Sequence, residues 1–288
     1  MSSDSTYESY YVPHNSPLPI FASLGLFLTV YGGGSLLNEI QSGSGGNFGT
    51  TVFAMGGLIM AVTLFFWFSK VIEENNAKMY SQQMNKSFVW GMSWFIFSEV
   101  MFFACFFGAL FYVRVLVNSW IGGEAAVGWF DDTPTDAAAA NAQHLWPGYE
   151  AAWPPMITPD QAVNGDAAQF KGPDQNMSFP GWDRILHWLP LWNTLVLITS
   201  SFTVHIAHTA LKDDNRKKFN TWLGITVALG IFFLFLQVEE YIEAYQHMGL
   251  TLESGIYGTT FFMLTGFHGM HVTLGTVMLL IQWIRGLK

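Results

Sequence analysis

The sequence predicts an all-α protein, a polytopic bundle of transmembrane helices. The chain has 288 residues, of which 51% are hydrophobic and 11% are charged, whereas soluble domains carry about 25% charged residues. The apolar residues are concentrated in six blocks of roughly 20 residues or more, the length that crosses about 30 Å of hydrocarbon. No block alternates apolar and polar residues with a period of two, which excludes the strands of a membrane barrel.

The first three spans lie before the longest connection of the chain. Pro17 and Pro19 come at the start of the first span, where a helix does not need their missing N–H groups. The second span ends at Trp67 and Lys70, an aromatic residue and a cation of the kinds that mark a membrane interface. The third span is rich in phenylalanine. We predict these spans at residues 18–37, 50–68 and 88–117.

The last three spans follow the long connection. The fifth and sixth are longer than the bilayer requires, which allows tilt or extension beyond it. Gly258, Gly266 and Gly269 in the sixth span suit close contacts between helices. We predict these spans at residues 188–211, 219–246 and 255–284.

The cations predict the orientation of the chain. Six spans place both termini and the connections 69–87 and 212–218 on one side, with nine of the twelve Lys and Arg residues. The positive-inside rule makes this side the cytoplasm or the mitochondrial matrix. Residues 1–18 contain no Lys or Arg, so we expect no cleaved signal peptide. The nine cations are Lys70, Lys78, Lys86, Lys212, Arg216, Lys217, Lys218, Arg285 and Lys288.

The connection 118–187 is predicted to lie outside and to be irregular, because it is rich in Ala, Gly, Pro and Asp. It carries most of the net charge of −9. The chain as a whole has no basic surface, which excludes a nucleic-acid-binding protein. An acidic outer face could steer a basic cytochrome or another partner, although a solvated loop is the simpler interpretation. Its acidic residues are Glu124, Asp131, Asp132, Asp136, Glu150, Asp160, Asp166, Asp174 and Asp183.

Glu99 is the most informative ionisable residue within a span. Such residues are costly in a bilayer and are therefore candidates for function. Glu99 stands near the middle of the third span, where we expect a carboxyl group to be protonated or hydrogen-bonded. A proton relay and a structural carboxylic acid are both consistent with this position.

The remaining intramembrane ionisable groups raise the question of a metal site. Di-metal bundles use Glu-x-x-His motifs, which no span contains, whereas intramembrane histidines can also bind a haem. We favour polar packing over both, with no catalytic residue and no metal site. The single cysteine, Cys105, excludes an internal disulfide and a Cys-based metal centre. The groups are the pairs His205/His208 and His268/His271 and the residues Glu239, Glu240 and Glu243.

Four motifs resemble cytochrome c oxidase subunit III, a family of the haem–copper oxidase superfamily. They follow one another in the family's order and with its helix spacing, and the resemblance runs with gaps from about Pro17 to the last residue. The motifs are GMSWFIFSEVMFF (91–103), AHTALKDDNRK (207–217), LQVEEYIEA (236–244) and SGIYGTTFFMLTGFHGMHV (254–272).

The resemblance implies a subunit without a redox centre of its own. In the family, haem and copper belong to subunits I and II, and the complex reduces oxygen with electrons from cytochrome c and pumps protons. Subunit III flanks subunit I, supports proton uptake and sustained turnover, and holds phospholipids in a V-shaped cleft. The cleft separates the first two helices from the others, which implies an N-terminal arm at residues 1–72 and a main bundle at 73–288. A bacterial inner membrane, or alternatively the mitochondrial inner membrane, is implied.

The resemblance also implies roles for individual residues. Glu99 matches a buried glutamate that reacts with carbodiimides and lies near the proton-uptake region. The implied lipid-binding residues are Phe95, Glu74, Trp67 and Arg285. The residues for which polar packing is expected are His208, His268, His271, Glu239, Glu240 and Glu243.

The chain departs from the family pattern in three places. Glu73 stands where the family has a lipid-contacting arginine, and the connection 118–187 is longer than in the compact mitochondrial form. The family continues into a seventh helix, which is absent, lies in another chain or is truncated here. Subunit III of a quinol-type oxidase is an alternative, although those relatives lack the first two helices. A free-standing proton-coupled transporter or channel that uses Glu99 is a further alternative.

Overall fold

A computed structural model describes residues 11–12, 15–43, 46–123 and 136–288. Six of its helices are long and apolar enough to cross a membrane. Within the described ranges there is no β-strand, and the predicted all-α transmembrane fold is confirmed.

The helices before the outer connection are α1 (Leu18–Ser42), α2 (Phe48–Asn76) and α3 (Gln82–Tyr112). A π-helical turn, Val113–Val117, and a last α-helical turn, Asn118–Ile121, continue α3 without a break. Two short helices, α4 (Asp136–Leu145) and α5 (Pro159–Asn164), follow in the connection. The last three spanning helices are α6 (Leu189–Lys212), α7 (Arg216–His247) and α8 (Gly255–Leu287).

The outer connection is more ordered than its composition suggested. The prediction of an irregular segment is wrong for α4, because its run of alanines has the highest intrinsic helix propensity. In α5 the side chain of Thr158 caps the helix by accepting from the N–H of Gln161 at 3.1 Å. Three acidic residues predicted for this connection, Glu124, Asp131 and Asp132, lie outside the described residues.

The chain divides into two compact units, Met1–Glu99 and Val100–Lys288. In the first unit, α1 and α2 form an antiparallel hairpin with glycines at the contact. A methyl group on Gly32 would overlap the backbone of Phe53, and one on Gly56 would overlap the backbone of Thr29. The two helix backbones therefore touch directly, as small residues allow in a bilayer. The arm predicted at residues 1–72 stays a prediction.

In the second unit, α7 packs between α6 and α8. Near one end of α6, Ala207 and Ala210 pack against Phe219 and Leu223 of α7. Further along the same interface, the buried hydroxyls of Thr203 and Thr226 are hydrogen-bonded at 2.8 Å. Small residues of α6 therefore let the large side chains of α7 pack closely, and a buried pair of hydroxyls adds a hydrogen bond between the two helices.

Candidate functional site

A pocket of about 400 Å³ lies in the first unit, at the end of α2 that is followed by residues 77–81. Its lining includes Glu74, for which the resemblance implied a lipid-binding role. Glu74 Oε2 accepts a hydrogen bond from the hydroxyl of Tyr80 at 2.7 Å, and Oε1 accepts from the hydroxyl of Tyr11 at 3.2 Å. Both oxygens of this carboxyl group are therefore engaged within the chain.

The walls of the pocket combine an apolar surface with a single cation. Trp67, Val71 and Phe88 contribute apolar surface, and Lys70 lies one helical turn before Glu74. Within the described ranges no carboxylate forms an ion pair with Lys70. An amphipathic pocket with a free ammonium group suits a phosphate that is attached to apolar chains.

Tyr80 has an altered acidity at this site. Burial and its hydrogen bond to Glu74, with the charge of that carboxylate, raise the pKa of Tyr80 to about 12. The phenol therefore stays a proton donor at neutral pH and keeps its bond to Glu74. The family resemblance indicated Glu74, and Trp67 was predicted beside it, but Tyr11 and Tyr80 were not predicted. Tyr80 lies six residues after Glu74, which is not a helical spacing, so no periodic signal joins the two.

Glu99 lies in the middle of α3, as predicted. It is the last residue of the first unit, and its side chain is partly exposed within this chain. Its role in proton uptake stays a prediction.

Three other predicted site residues lie on exposed faces of the chain. Phe95 is 57% exposed on α3. Arg285 is exposed near the end of α8, where its guanidinium donates to Gln282 Oε1 at 3.4 Å. His208 is exposed on α6. The structure brings none of these three into the pocket around Glu74.

His268 and His271 lie on α8 among aromatic rings of the second unit. The rings of both histidines are near Phe103, with centroid distances of 6.4 Å for His268 and 5.8 Å for His271. His268 also meets the edge of Phe233 on α7 at 5.7 Å. This placement is consistent with the packing role predicted for the two histidines.

The three glutamates near the end of α7 differ in their surroundings. Glu239 and Glu243 are exposed. Glu240 is buried, and its Oε2 accepts a hydrogen bond from Asn193 Nδ2 of α6 at 3.2 Å. Asn193 was not among the predicted site residues. Its position in the first turns of an apolar span, where a polar side chain is costly, is the feature that could have predicted it.

The connection 118–187 is tied to the last turn of the helix that precedes it and to the start of α8. Buried Asn118, in the last turn after α3, donates to the carbonyl of Ala152 at 3.2 Å and accepts from the hydroxyl of Tyr149 at 2.6 Å. The guanidinium of Arg114 lies 5.8 Å from the centroid of the Trp153 ring. The N–H of Met177 donates to the hydroxyl of Tyr257 at the start of α8. The connection is thus anchored over the bundle.

The described residues contain no cluster of three or more His, Cys, Asp or Glu side chains that could hold a metal ion. The rings of His268 and His271 pack against Phe103.

The fold and the pocket define a polytopic helical membrane protein with an amphipathic site at the end of its second span. Comparison with known sequences makes the assignment specific. The profile described as cytochrome c oxidase subunit III matches residues 8–128 and 186–288. The chain belongs to the cytochrome c oxidase subunit III family, which confirms the predicted resemblance. Most of the outer connection lies outside the matched segments, in keeping with its greater length.

The relatives come from animals and from bacteria. The chain is 31% identical to cytochrome c oxidase subunit 3 of Drosophila melanogaster, over all of this chain and 86% of the relative. It is 29% identical to the subunit of Equus caballus, over 97% of this chain and 84% of the relative. It is 30% identical to the probable cytochrome c oxidase subunit 3 of Rickettsia bellii, over 96% of this chain and 80% of the relative.

Proposed function

We propose that this chain is a non-catalytic integral membrane subunit of a proton-pumping cytochrome c oxidase in aerobic respiration. It lies beside subunits I and II, which carry the haem and copper, and cytochrome c donates electrons to the complex. The observation that carries the proposal is the family match across both the first two helices and the later four. The quinol-type relatives lack those first two helices, which favours cytochrome c as the donor.

The subunit binds structural phospholipids, and the pocket around Lys70 and Trp67 supports this part of the proposal. Its apolar walls fit acyl chains, and its single unpaired cation fits a lipid phosphate. Glu74 shapes the pocket through its two phenol partners. Phe95 and Arg285 are proposed as further lipid contacts because both are exposed on membrane-spanning helices.

Glu99 supports proton uptake by the complex. A carboxyl group in the middle of a transmembrane helix is costly unless it has a role in function or packing. Its partial exposure leaves it accessible to a neighbouring subunit. The location is a bacterial inner membrane, with the N-terminus in the cytoplasm, where most of the cations then lie.

The experiment is purification of the complex through a tag on this chain, followed by its selective removal. We expect haem-bearing subunits to be recovered with it. Without it, initial oxygen reduction should persist and then decay during turnover. Immediate and complete loss of activity would contradict a supporting role, and recovery without any haem-bearing partner would contradict the oxidase assignment. That second outcome is the one expected of a free-standing transporter.

The variant Glu99→Gln tests the proton-uptake role in the assembled complex. We expect normal assembly and reduced proton uptake or reduced endurance during turnover, with Glu243→Gln as a control on an exposed glutamate. Unchanged proton uptake and endurance in Glu99→Gln would refute this role, and an immediate collapse of haem–copper reduction would refute the peripheral position.

A further inference from the structure

Glu240 and Asn193 form a buried polar pair that the proposed function does not use. Each residue is only 7% exposed, although one lies on α7 and the other on α6. Asn193 Nδ2 donates to Glu240 Oε2 at 3.2 Å. The ion pairs of the described ranges are Asp183–Arg184 and Asp214–Arg216. No cation of these ranges therefore neutralises Glu240.

The hydrogen-bonding capacity of the pair is unbalanced if the carboxyl group is ionised. Asn193 Oδ1 is buried without a hydrogen-bond partner. A carboxylate can only accept hydrogen bonds, whereas a neutral carboxylic acid also donates one through its O–H. A proton on Glu240 supplies a donor beside the amide whose oxygen lacks one. The acid can then donate an O–H···O bond to the amide and accept an N–H···O bond from it.

The groups on the same helix do not supply the missing charge or donor. Glu239 and Glu243 point to exposed surface. The hydroxyl of Tyr241 is hydrogen-bonded to Thr265 Oγ1 of α8 at 2.8 Å. Ala244, one turn beyond Glu240, is fully buried and apolar.

The titratable groups of the neighbouring helices are remote or otherwise engaged. On α6, the titratable residue nearest in sequence to Asn193 is His205, about 18 Å along the helix at 1.5 Å per residue. On α8, His268 packs against Phe233, about 10 Å along α7 from Glu240. At the start of α8, the Tyr257 hydroxyl accepts from the N–H of Met177.

We propose that Glu240 is a proton-binding site of this chain, separate from Glu99. At neutral pH it takes one proton from water and holds it as a neutral carboxylic acid paired with Asn193. The proton joins a carboxylate oxygen and no electron is transferred. The site belongs to the chain itself, so it stands whether or not the oxidase function proposed above is correct.

Nuclear magnetic resonance of the full chain in lipid bilayers tests the proposal. With ¹³C-labelled glutamate at pH 7, the carboxyl resonance lost in Glu240→Gln should have the chemical shift of a neutral acid. The resonance lost in the control Glu243→Gln should have that of a carboxylate. A carboxylate shift for the resonance that Glu240→Gln removes would overturn the proposal.

Thermal unfolding gives an independent readout. Glutamine has the donor and acceptor of a neutral acid, so Glu240→Gln should unfold at the same temperature as the original chain. Glu240→Leu and Asn193→Leu should unfold several degrees lower, because each leaves a buried polar group unpaired. A Glu240→Gln chain that fails to fold, or that loses as much stability as Glu240→Leu, would also overturn the proposal.

Discussion

Glu74 sits between two phenols that come from different parts of the chain. Tyr11 precedes α1 and Tyr80 follows α2, and their rings are 6.2 Å apart. Both carboxyl oxygens accept these phenols, and Lys70, one helical turn before Glu74, lines the same pocket. The structure thus gives Glu74 a role in the pocket wall, and its part in lipid binding stays a prediction.

The variant Tyr80→Phe tests this arrangement. It should remove one hydrogen bond to Glu74 and lower the free energy of unfolding by about 1 kcal/mol. Thermal unfolding in lipid bilayers measures the loss. Tyr31, which is 52% exposed in the same unit, provides the control Tyr31→Phe with little expected change. Equal losses in the two variants would argue against a specific role for Tyr80.

The same bond should respond to alkaline pH in a defined direction. The pKa of Tyr80 is raised from 10.0 to about 12, so the folded state holds its proton more tightly than the unfolded state. The stabilisation is complete below pH 10 and is lost as the pH rises through about 12. A tyrosinate absorbance titration should show a component near pH 12 that is missing in Tyr80→Phe.

Asp160 organises the outer connection and should respond to acid. Its Oδ1 accepts from Asn164 Nδ2 at 2.7 Å, and its Oδ2 accepts from the N–H groups of Gln169 at 2.8 Å and Phe170 at 3.1 Å. The bond from Asn164, followed by those from the backbone, lowers the pKa of Asp160. The stabilisation is therefore present above the unfolded pKa and is lost as the pH falls through the lower folded value.

Hydrogen exchange measures this effect. In Asp160→Asn the amides of Gln169 and Phe170 should lose protection from exchange at neutral pH, and in the original chain they should lose it only in acid. The exposed Asp166 provides the control Asp166→Asn. If Asp166→Asn accelerates exchange at these amides as much, Asp160 is not the organising residue.

At the scale of helices, the α1–α2 hairpin depends on glycines whose backbones touch the partner helix. A side chain at Gly56 would overlap Thr29, whereas the adjacent Gly57 has open space beside it. The carboxylate of Glu39 on α1 further accepts from the N–H of Gly49 in the first turn of α2, at 3.0 Å. The pairing of these helices is thus specified by steric fit and one helix-end hydrogen bond.

The matched pair Gly56→Ala and Gly57→Ala tests the fit. Gly56→Ala should destabilise the hairpin by about 1–3 kcal/mol, because the helices must separate. Gly57→Ala should be neutral or slightly stabilising, since alanine favours a helix over glycine. Unfolding in bilayers distinguishes them, and equal stabilities would show that the close contact is not a determinant of the hairpin.

At the scale of the whole chain, the topology predicted from the sequence separates the charges between the two sides of the membrane. The predicted inner connections carry most of the cations, and the connection 118–187 carries most of the net negative charge. The described part of this connection is anchored through Asn118 and Tyr257, and it carries Glu150, Asp160 and Asp174 among its acidic residues. A fixed acidic surface steers a basic partner more effectively than a freely moving segment does.

Cysteine labelling tests the orientation. In a Cys105→Ser background, a membrane-impermeant maleimide added from outside should label Ser178→Cys in the outer connection. It should label Lys217→Cys, in the first turn of α7, only after the membrane is opened. The reverse pattern would invert the assigned topology.

Several features could be predicted from sequence because each depends on residues close together in the chain. The six spans follow from the length and apolarity of each block, and Glu99 and Glu240 are conspicuous as charges within them. The family motifs are also local. Helix α4 was misjudged, because its alanines were interpreted as part of an irregular acidic segment rather than by their own propensity.

The sequence by itself determined the membrane class, the order of the spans and the family, since hydrophobic length and motif identity are properties of continuous segments. Only the tertiary structure decided which polar groups meet. Tyr11 reaches Glu74 across 63 residues and Asn193 reaches Glu240 across 47. The apolar pattern does not set these pairings; they arise when packed helices bring one polar group beside another and exclude the water that would otherwise bind both.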